Sequence, residues 1–384
     1  MNRKVWILAI LLIVAVVLIL AVLWALPRLA QRVGVSVPGG SPGPVDLELP
    51  PGFQAEIYAS GLDRPRFMAF DGDGQLFVAE MGAGQVVVLP DFDGDGLPDE
   101  TVTVVDGLDR PSSLAFRDGW LYVAETGQVS RFRLDDSQRV VQSEVVVPDL
   151  PTGGLHVTRT VVMGPDGRLY LSVGSSCNVC EEEDPRRAAI SVYDLDDGAA
   201  AIFAKGLRNA VGLAFNPWTG KMWATNNGRD WLGDDSPPDT VYVIGEGLDY
   251  GWPRCHNGRI VDPDYGSRRD CQDVETPAAE LPAHSAPLGL VFYDSDEFPA
   301  AYQGDLLVAS HGSWNRSQPV GYQLFHLPFE GGEPTGEVLD FATGWLQEGG
   351  QTAPGRPAGL IVAPDGSLLV SDDKAGLIYR ISYQ

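Results

Sequence analysis

The fold this sequence predicts is an all-β propeller of six blades, preceded by an N-terminal transmembrane helix. Three observations predict the propeller. One degenerate phrase recurs six times. Each copy reads as two apolar strands flanking a tight acidic turn. Gly and Pro together approach a fifth of the chain, beside 35 aromatic residues, which favours many short strands and turns over long helices.

Taken in order, the first element is the apolar run Val5 to Leu26, which holds no charge, Gly or Pro. At 1.5 Å per residue it reaches ~33 Å, enough to cross a bilayer core. A cleaved signal peptide is the competing reading. The run exceeds the usual signal-peptide length of roughly 7–15 apolar residues, and no A-x-A site ends it cleanly. We therefore expect residues 1–33 to be an uncleaved anchor with the N-terminus inside and the remainder outside the cytoplasm, periplasmic or extracellular. Residues 34–51, rich in Gly, Pro, Ser and Val, read as a linker.

Residues 52–384 carry the repeat. Its copies begin at Gly61, Gly107, His156, Gly206, Ala286 and Gly355. The first four starts lie 46 to 50 residues apart, and the later gaps of 80 and 69 imply insertions. Pro165-Asp166-Gly167 and Pro364-Asp365-Gly366 carry hairpin turn chemistry. Alternating runs such as Gln85 to Leu89, Gln128 to Leu134 and Leu377 to Ser382 supply further strands. Four strands per ~50 residues, six times over, is a propeller count. A solenoid would show a shorter period, and a sandwich no sixfold repeat. In a propeller the loops that open each copy meet at one end of the central channel.

Acidic residues outnumber basic ones 52 to 27, for a net charge of -25. This excludes a nucleic-acid binder, which needs a basic face. It also means that any anion site must be built from locally placed cations or metal. Four cysteines stand at Cys177, Cys180, Cys255 and Cys271. No His follows Cys180, which excludes haem attachment. A four-cysteine zinc site would need a second close pair. Behind an export segment, two local disulfides, Cys177–Cys180 and Cys255–Cys271, are the better reading.

Among the histidines, His156 opens the third copy at the channel mouth, where the other copies carry turn residues. Its ordinary pKa near 6.5 suits a general base. No G-x-S-x-G elbow is present, so a serine triad has no support. Arg208-Asn209 opens copy four and Arg356 opens copy six. Their guanidinium forks suit a carboxylate ligand, and salt bridges between blades are the structural alternative. The Gly/Pro-rich acidic loop from Asn227 to Asp239 suits a hard cation such as Ca²⁺. A second candidate, Asp91-Phe92-Asp93-Gly94-Asp95-Gly96-Leu97-Pro98-Asp99, matches much of an EF-hand loop. It has Val102 where the bidentate Glu should stand, so it reads as an incomplete calcium loop or a solvated hairpin.

These residues carry a resemblance. GSSCNVCEEEDPRRA (174–188), GLRNAVGLAFNPWTGKMWATNNGRDWLGDDSPPD (206–239), DYGWPRCH (249–256), LPAHSAPLGL (281–290), HGSWNRSQPVGY (311–322) and GRPAGLIVAPDGSLLVSDDKAGLIYRIS (355–382) resemble the pyrroloquinoline-quinone (PQQ)-dependent sugar dehydrogenases of the glucose/sorbosone dehydrogenase family, nearest its sorbosone branch. The likeness spans roughly residues 50 to 384. It implies a six-bladed propeller that oxidises a sugar with PQQ and Ca²⁺. Position by position, it implies that His156 is the catalytic base and that Arg208, Asn209 and Arg356 contact the cofactor. Gly228 and Arg229 would offer backbone carbonyls to Ca²⁺, with Asp239 nearby. His311 and Arg316 are assigned to the cofactor, and Trp231 and Trp314 to the substrate pocket. There are three departures from the glucose-oxidising members: Arg229 stands where they usually carry Pro, Pro357-Ala358 replaces a second arginine near Arg356, and their cofactor lysine falls near Gly312.

The resulting expectation is an exported, membrane-anchored quinoprotein oxidising an aldose or related sugar and passing electrons to an external quinone or cytochrome. Two alternatives from other classes are a non-catalytic propeller that binds glycan or protein, and a metal-dependent lactonase-type hydrolase.

Overall fold

The computed structural model describes residues 45–347, 350 and 352–384. The apolar run expected to cross a membrane, and the linker up to residue 44, lie outside them. Among the described residues no helix is long and apolar enough to cross a membrane. The helical element found there is the 3₁₀ turn Arg268–Cys271.

Six four-stranded antiparallel sheets form the blades of a propeller. Their innermost strands are Pro65–Phe70, Ser113–Arg117, Arg159–Met163, Ala210–Phe215, Pro287–Phe292 and Pro357–Val362. Each begins within a few residues of a repeat start. Neighbouring inner strands touch in sequence order, and the last touches the first, so the ring is closed. The closure was not legible in the repeat itself. Phe53–Ser60, ahead of blade one, becomes the outermost strand of blade six by pairing with Leu377–Tyr383. It thereby covers an edge that would otherwise be unpaired. Val45, Leu47 and Leu49, inside the expected linker, pack against the core between blades five and six.

The second strand of each blade is buried along its whole length, as in Leu76–Glu80 and Leu306–Ser310. Apolar side chains from adjacent blades fill the spaces between sheets, for example Phe77, Val86, Leu114 and Val123. Hydroxyls stitch the inner ring across blades: Thr160 Oγ1 donates to the Val211 carbonyl at 2.6 Å, and Thr225 Oγ1 to that of Leu288 at 2.7 Å. The inner-strand glycine Gly289 permits this closeness, because a Cβ there would lie 2.7 Å from the Ala358 carbonyl oxygen.

Strand direction alternates within each blade. The start of the inner strand and the loop between the second and third strands therefore emerge at one end of the channel. Blade four carries the largest insertion, between Asp239–Ile244 and Ala279–Leu281. It holds the hairpin Cys255–His256/Ile260–Val261 and the 3₁₀ turn, which the Cys255–Cys271 disulfide joins.

Candidate active site

His156 stands on the segment leading into blade three. Its Nδ1 lies 2.8 Å from the Ser175 carbonyl oxygen. A carbonyl only accepts, so Nδ1 carries the proton and the neutral ring keeps a bare Nε2. Burial pushes the ring's pKa down to about 3, with the Arg208 guanidinium adding to the effect. The segment itself is braced by two arginines. Arg159 donates to the His156 carbonyl at 3.0 Å and the Pro151 carbonyl at 2.6 Å. Arg187 donates to the carbonyls of Gly174 (3.1 Å) and Pro151 (2.8 Å). Gly174 makes the floor. A Cβ there would fall 2.4 Å from Asn209 Oδ1 and 2.7 Å from His156 Cβ, so only glycine lets these two side chains share the niche. The Asn209 side-chain amide forms no hydrogen bond to protein among the described residues.

Arg208 is the hub beneath this niche. All five of its N–H groups point at protein acceptors. Nε donates to the Asn178 carbonyl (3.0 Å), Nη1 to the carbonyls of Gly228 (2.7 Å) and Asn227 (3.4 Å), and Nη2 to Asn178 Oδ1 (3.1 Å) and Asp230 (2.8 Å). The fork expected to grip a carboxylate ligand thus meets protein acceptors in this structure and braces the site. Burial alone would raise the Asp230 pKa, but the His284 hydrogen bond and the Arg208 charge hold it below the usual carboxylate range. His284 Nδ1 lies 3.5 Å from Asp230, and its Nε2 lies 2.8 Å from the Gly233 carbonyl; the bond to Asp230 raises its own pKa. Sequence reasoning missed Asn178 and undervalued Asp230. Their one signal was position: Asn178 stands inside the Cys177–Cys180 loop, whose disulfide is formed, as is Cys255–Cys271.

Across the mouth, Arg356 donates to the carbonyls of His311 (2.9 Å) and Gly312 (2.8 Å) and lies over the Tyr322 ring. Among the described residues no carboxylate pairs with it. Lys374, which sequence reasoning passed over, is likewise unpaired, its Nζ meeting only the Ala353 carbonyl. Asp372 Oδ1 accepts the backbone N–H of both Arg356 and Lys374, which holds the two cations near each other. His311 Nε2 lies 2.8 Å from Asp373, whose other oxygen pairs with Arg66 at 2.6 Å. Burial, then Arg356, pushes the His311 pKa down to about 4.

The expected metal residues behave differently from one another. Gly228 keeps its carbonyl toward Arg208. The Arg229 side chain turns away, into an ion pair with Asp262 and, at 2.6 Å, with Asp264 of the blade-four insertion. Asp239 is buried with both oxygens on backbone N–H groups, of Gly228 (2.7 Å) and Ala286 (2.9 Å), and burial lifts its pKa to about 6. It therefore shapes the 228 loop from below. Asp91, Asp93 and Asp99 do converge, with carboxylate oxygens within 4.8 Å of one another. They lie between the third and fourth strands of blade one, at the end of the channel opposite His156. Asp95 is outside the group, its carboxylate accepting the Leu97 N–H at 2.9 Å. The loop's carboxylates accept its own backbone N–H groups, which is how a solvated acidic turn satisfies itself.

Trp231 and Trp314 meet edge to face, with ring centroids 5.2 Å apart. Arg316, expected at the cofactor, ties their two loops together. It donates to the carbonyls of Asp234 and Ala283 and pairs with Asp235 at 2.7 Å. A lactonase-type centre needs carboxylates converging in the channel mouth. Asp230, Asp239 and Asp373 are instead each turned onto protein donors.

Comparison with known proteins agrees with this architecture. A PQQ-dependent pyranose dehydrogenase of Coprinopsis cinerea is 25% identical over 422 aligned residues, covering 90% of this chain but only 56% of that enzyme. The holo PQQ domain of a Coprinopsis cinerea pyranose dehydrogenase superposes with a TM-score of 0.77 at 23% identity, over 91% of this chain and all of that one. A calcium structure of a Trichoderma reesei family AA12 carbohydrate-active enzyme gives 0.77 at 23% identity, over 88% and 97% of the two chains. The TrAA12-like family model matches residues 47–257 and 260–384. Nearly the whole propeller is thus accounted for by one family description, and the chain belongs to the TrAA12-like family.

Proposed function

We propose that the propeller is a PQQ-dependent sugar dehydrogenase. The observation that carries this reading is the channel mouth itself. A neutral histidine with a bare Nε2 shares a glycine-floored niche with an Asn amide free of protein partners. Across from it stand two cations, Arg356 and Lys374, neither of which forms a salt bridge with a carboxylate among the described residues, on a protein of charge -25. Such an arrangement fits a polycarboxylate cofactor, and PQQ is a tricarboxylate. The PQQ- and calcium-bearing relatives support the same choice.

Arg356, Lys374 and Asn209 would hold PQQ, with His311 beside them. The carbonyls of Gly228, which also accepts from Arg208, and of Arg229 would be the donors for Ca²⁺, a hard cation suited to oxygen ligands. Bound PQQ supplies the electron sink that takes the hydride from the sugar carbon. The chain's own contribution is the proton path and the frame. His156 Nε2 receives the proton of the reacting hydroxyl, while the Nδ1–Ser175 bond keeps the ring in the right tautomer. Burial keeps the imidazole neutral, and the Arg208 charge adds to this by opposing imidazolium formation. Trp231 and Trp314 frame the approach of the sugar. An external quinone or cytochrome then receives the electrons. The two disulfides favour an oxidising compartment outside the cytoplasm, and the N-terminal apolar run would provide the anchor.

The test is reconstitution with PQQ and Ca²⁺. Aldose-dependent bleaching of an added redox dye, with matching change in the visible spectrum of the bound quinone, is expected. Chelation should abolish it, and Ca²⁺ should restore it only with PQQ present. No PQQ binding and no dye reduction across an aldose panel would refute the reading.

A further inference from the structure

Trp231 and Trp314 are each 64% exposed although they touch one another. Single exposed aromatics need no explanation, but a paired and rigidly held aromatic corner does. Their planes stand at 88°, so the pair offers one indole face bounded by the other's edge. Trp231 sits at φ +71°, in the left-handed region that bulky residues avoid. Strain of this kind persists where the surroundings over-determine it, and it clusters at ligand sites.

The surroundings do over-determine it. Ahead of Trp231, the Asp230 N–H donates to Asn178 Oδ1 at 2.8 Å, and the Asp230 carbonyl accepts from Asn178 Nδ2 at 3.0 Å. Behind it, the Gly233 carbonyl meets His284. Ahead of Trp314, the Ser313 carbonyl accepts from the Tyr322 hydroxyl at 2.7 Å. Behind it, Arg316 and Ser317 lace the loop to Asp234 and Asp235. Two loops from neighbouring blades are thus fastened to each other, and both rings are presented without needing to be ordered by a ligand.

We infer that this corner is a second sugar subsite, outside the His156 niche, which takes a neighbouring pyranosyl ring of a neutral oligosaccharide whose terminal residue reacts. The inference rests on the dehydrogenase reading for its substrate and deepens it. Position supports it, because Trp231 directly follows Asp230, the partner of the niche-framing Arg208. Chemistry supports it too. A pyranose with equatorial substituents turns its axial C–H groups to its faces, and such a face is apolar and matches an indole. Its hydroxyls stay at the rim in water. Charge selects a neutral chain. Uronate-rich glycans are repelled by the net charge of -25 and by the Asp234 and Asp235 carboxylates of the same loop, of which Arg316 pairs only with Asp235.

The experiment compares glucose, cellobiose and cellotetraose. Binding to the cofactor-free protein is followed by calorimetry and indole fluorescence, and turnover is followed in the PQQ-loaded protein. Dissociation constants should tighten roughly tenfold from glucose to the longer chains, as expected for burying one aromatic face, and indole emission should change. Trp314→Ala and Trp231→Gly should erase this dependence on length, and Trp314→Phe should keep most of it. Equal affinity at all lengths, or a length gain that survives both variants, overturns the subsite. Tetragalacturonate bound as tightly as cellotetraose overturns the neutral assignment. If no sugar is oxidised but length-dependent binding persists, the dehydrogenase reading falls and the subsite stands. If glucose is oxidised with no length gain in affinity, the reverse holds.

Discussion

Replacing Arg208 by Ala tests whether this guanidinium is frame or ligand arm. Its side chain is 5% exposed and that of Asp230 11%, so the pair is shielded from water. Removing one partner of a buried pair costs about 3–5 kcal/mol, because the remaining charge stays buried. Here Asp230 would keep only His284, and the carbonyls of Asn178 and Gly228 would lose a donor. At an unfolding entropy of about 2.1 cal/mol/K per residue, a propeller of roughly 340 residues has about 0.7 kcal/mol/K. The melting temperature should therefore fall by about 4–7 °C. Arg208→Lys should recover only part of this, since an ammonium restores the charge but not the five-donor fork. Differential scanning calorimetry of the cofactor-free protein reads the effect directly. A second readout comes from His156. Arg208 opposes its protonation, so the variant's imidazole should titrate higher, a shift visible by NMR. A melting temperature within a degree of wild type, with PQQ affinity lost, would show that Arg208 belongs to the cofactor and not to the frame.

Three further outcomes are expected. His156→Gln should cut turnover ~10²–10⁴-fold, the usual cost of losing a general base; in the wild type the acid limb of kcat/KM should lie below pH 6.5, because a depressed histidine pKa keeps the base unprotonated to lower pH, and a limb above 6.5 would contradict the assignment. Arg356→Ala should leave the melting temperature nearly unchanged, since no carboxylate depends on it. The same change should weaken PQQ binding by about 10- to 150-fold, the equivalent of one charge-assisted contact of roughly 1.5–3 kcal/mol; PQQ titration checks it. Gly174→Ala should displace Asn209 and His156 together and cost about 1–3 kcal/mol of stability as an overpacked site; calorimetry plus turnover would show both losses, and wild-type turnover would mean the niche is not where chemistry occurs.

The sequence by itself determined what is local and periodic. Six phased copies with Asp-Gly turns and alternating strands name the blades, because strand period and turn chemistry are properties of neighbouring residues. Cysteine spacing named both disulfides, because each closes a short loop. His156 was legible because it breaks the repeat at a position whose place in a propeller is known. What only the tertiary structure decided are partnerships between loops of different blades. Arg208 and Arg356 read alike in sequence, yet one meets a buried Asp230 and the other meets carbonyls and the Tyr322 ring. Asp239 reads as a metal ligand, and only the structure shows that its two oxygens also brace the backbone N–H groups of Gly228 and Ala286. Lys374 gave no signal, because its nearness to Arg356 depends on how two loops of blade six share Asp372. The physical reason is common to all of them. A repeat dictates that loops converge at one end of the channel, but which side chains meet there depends on loop height and backbone dihedral. Those are set by packing across blades and leave no periodic trace in the chain.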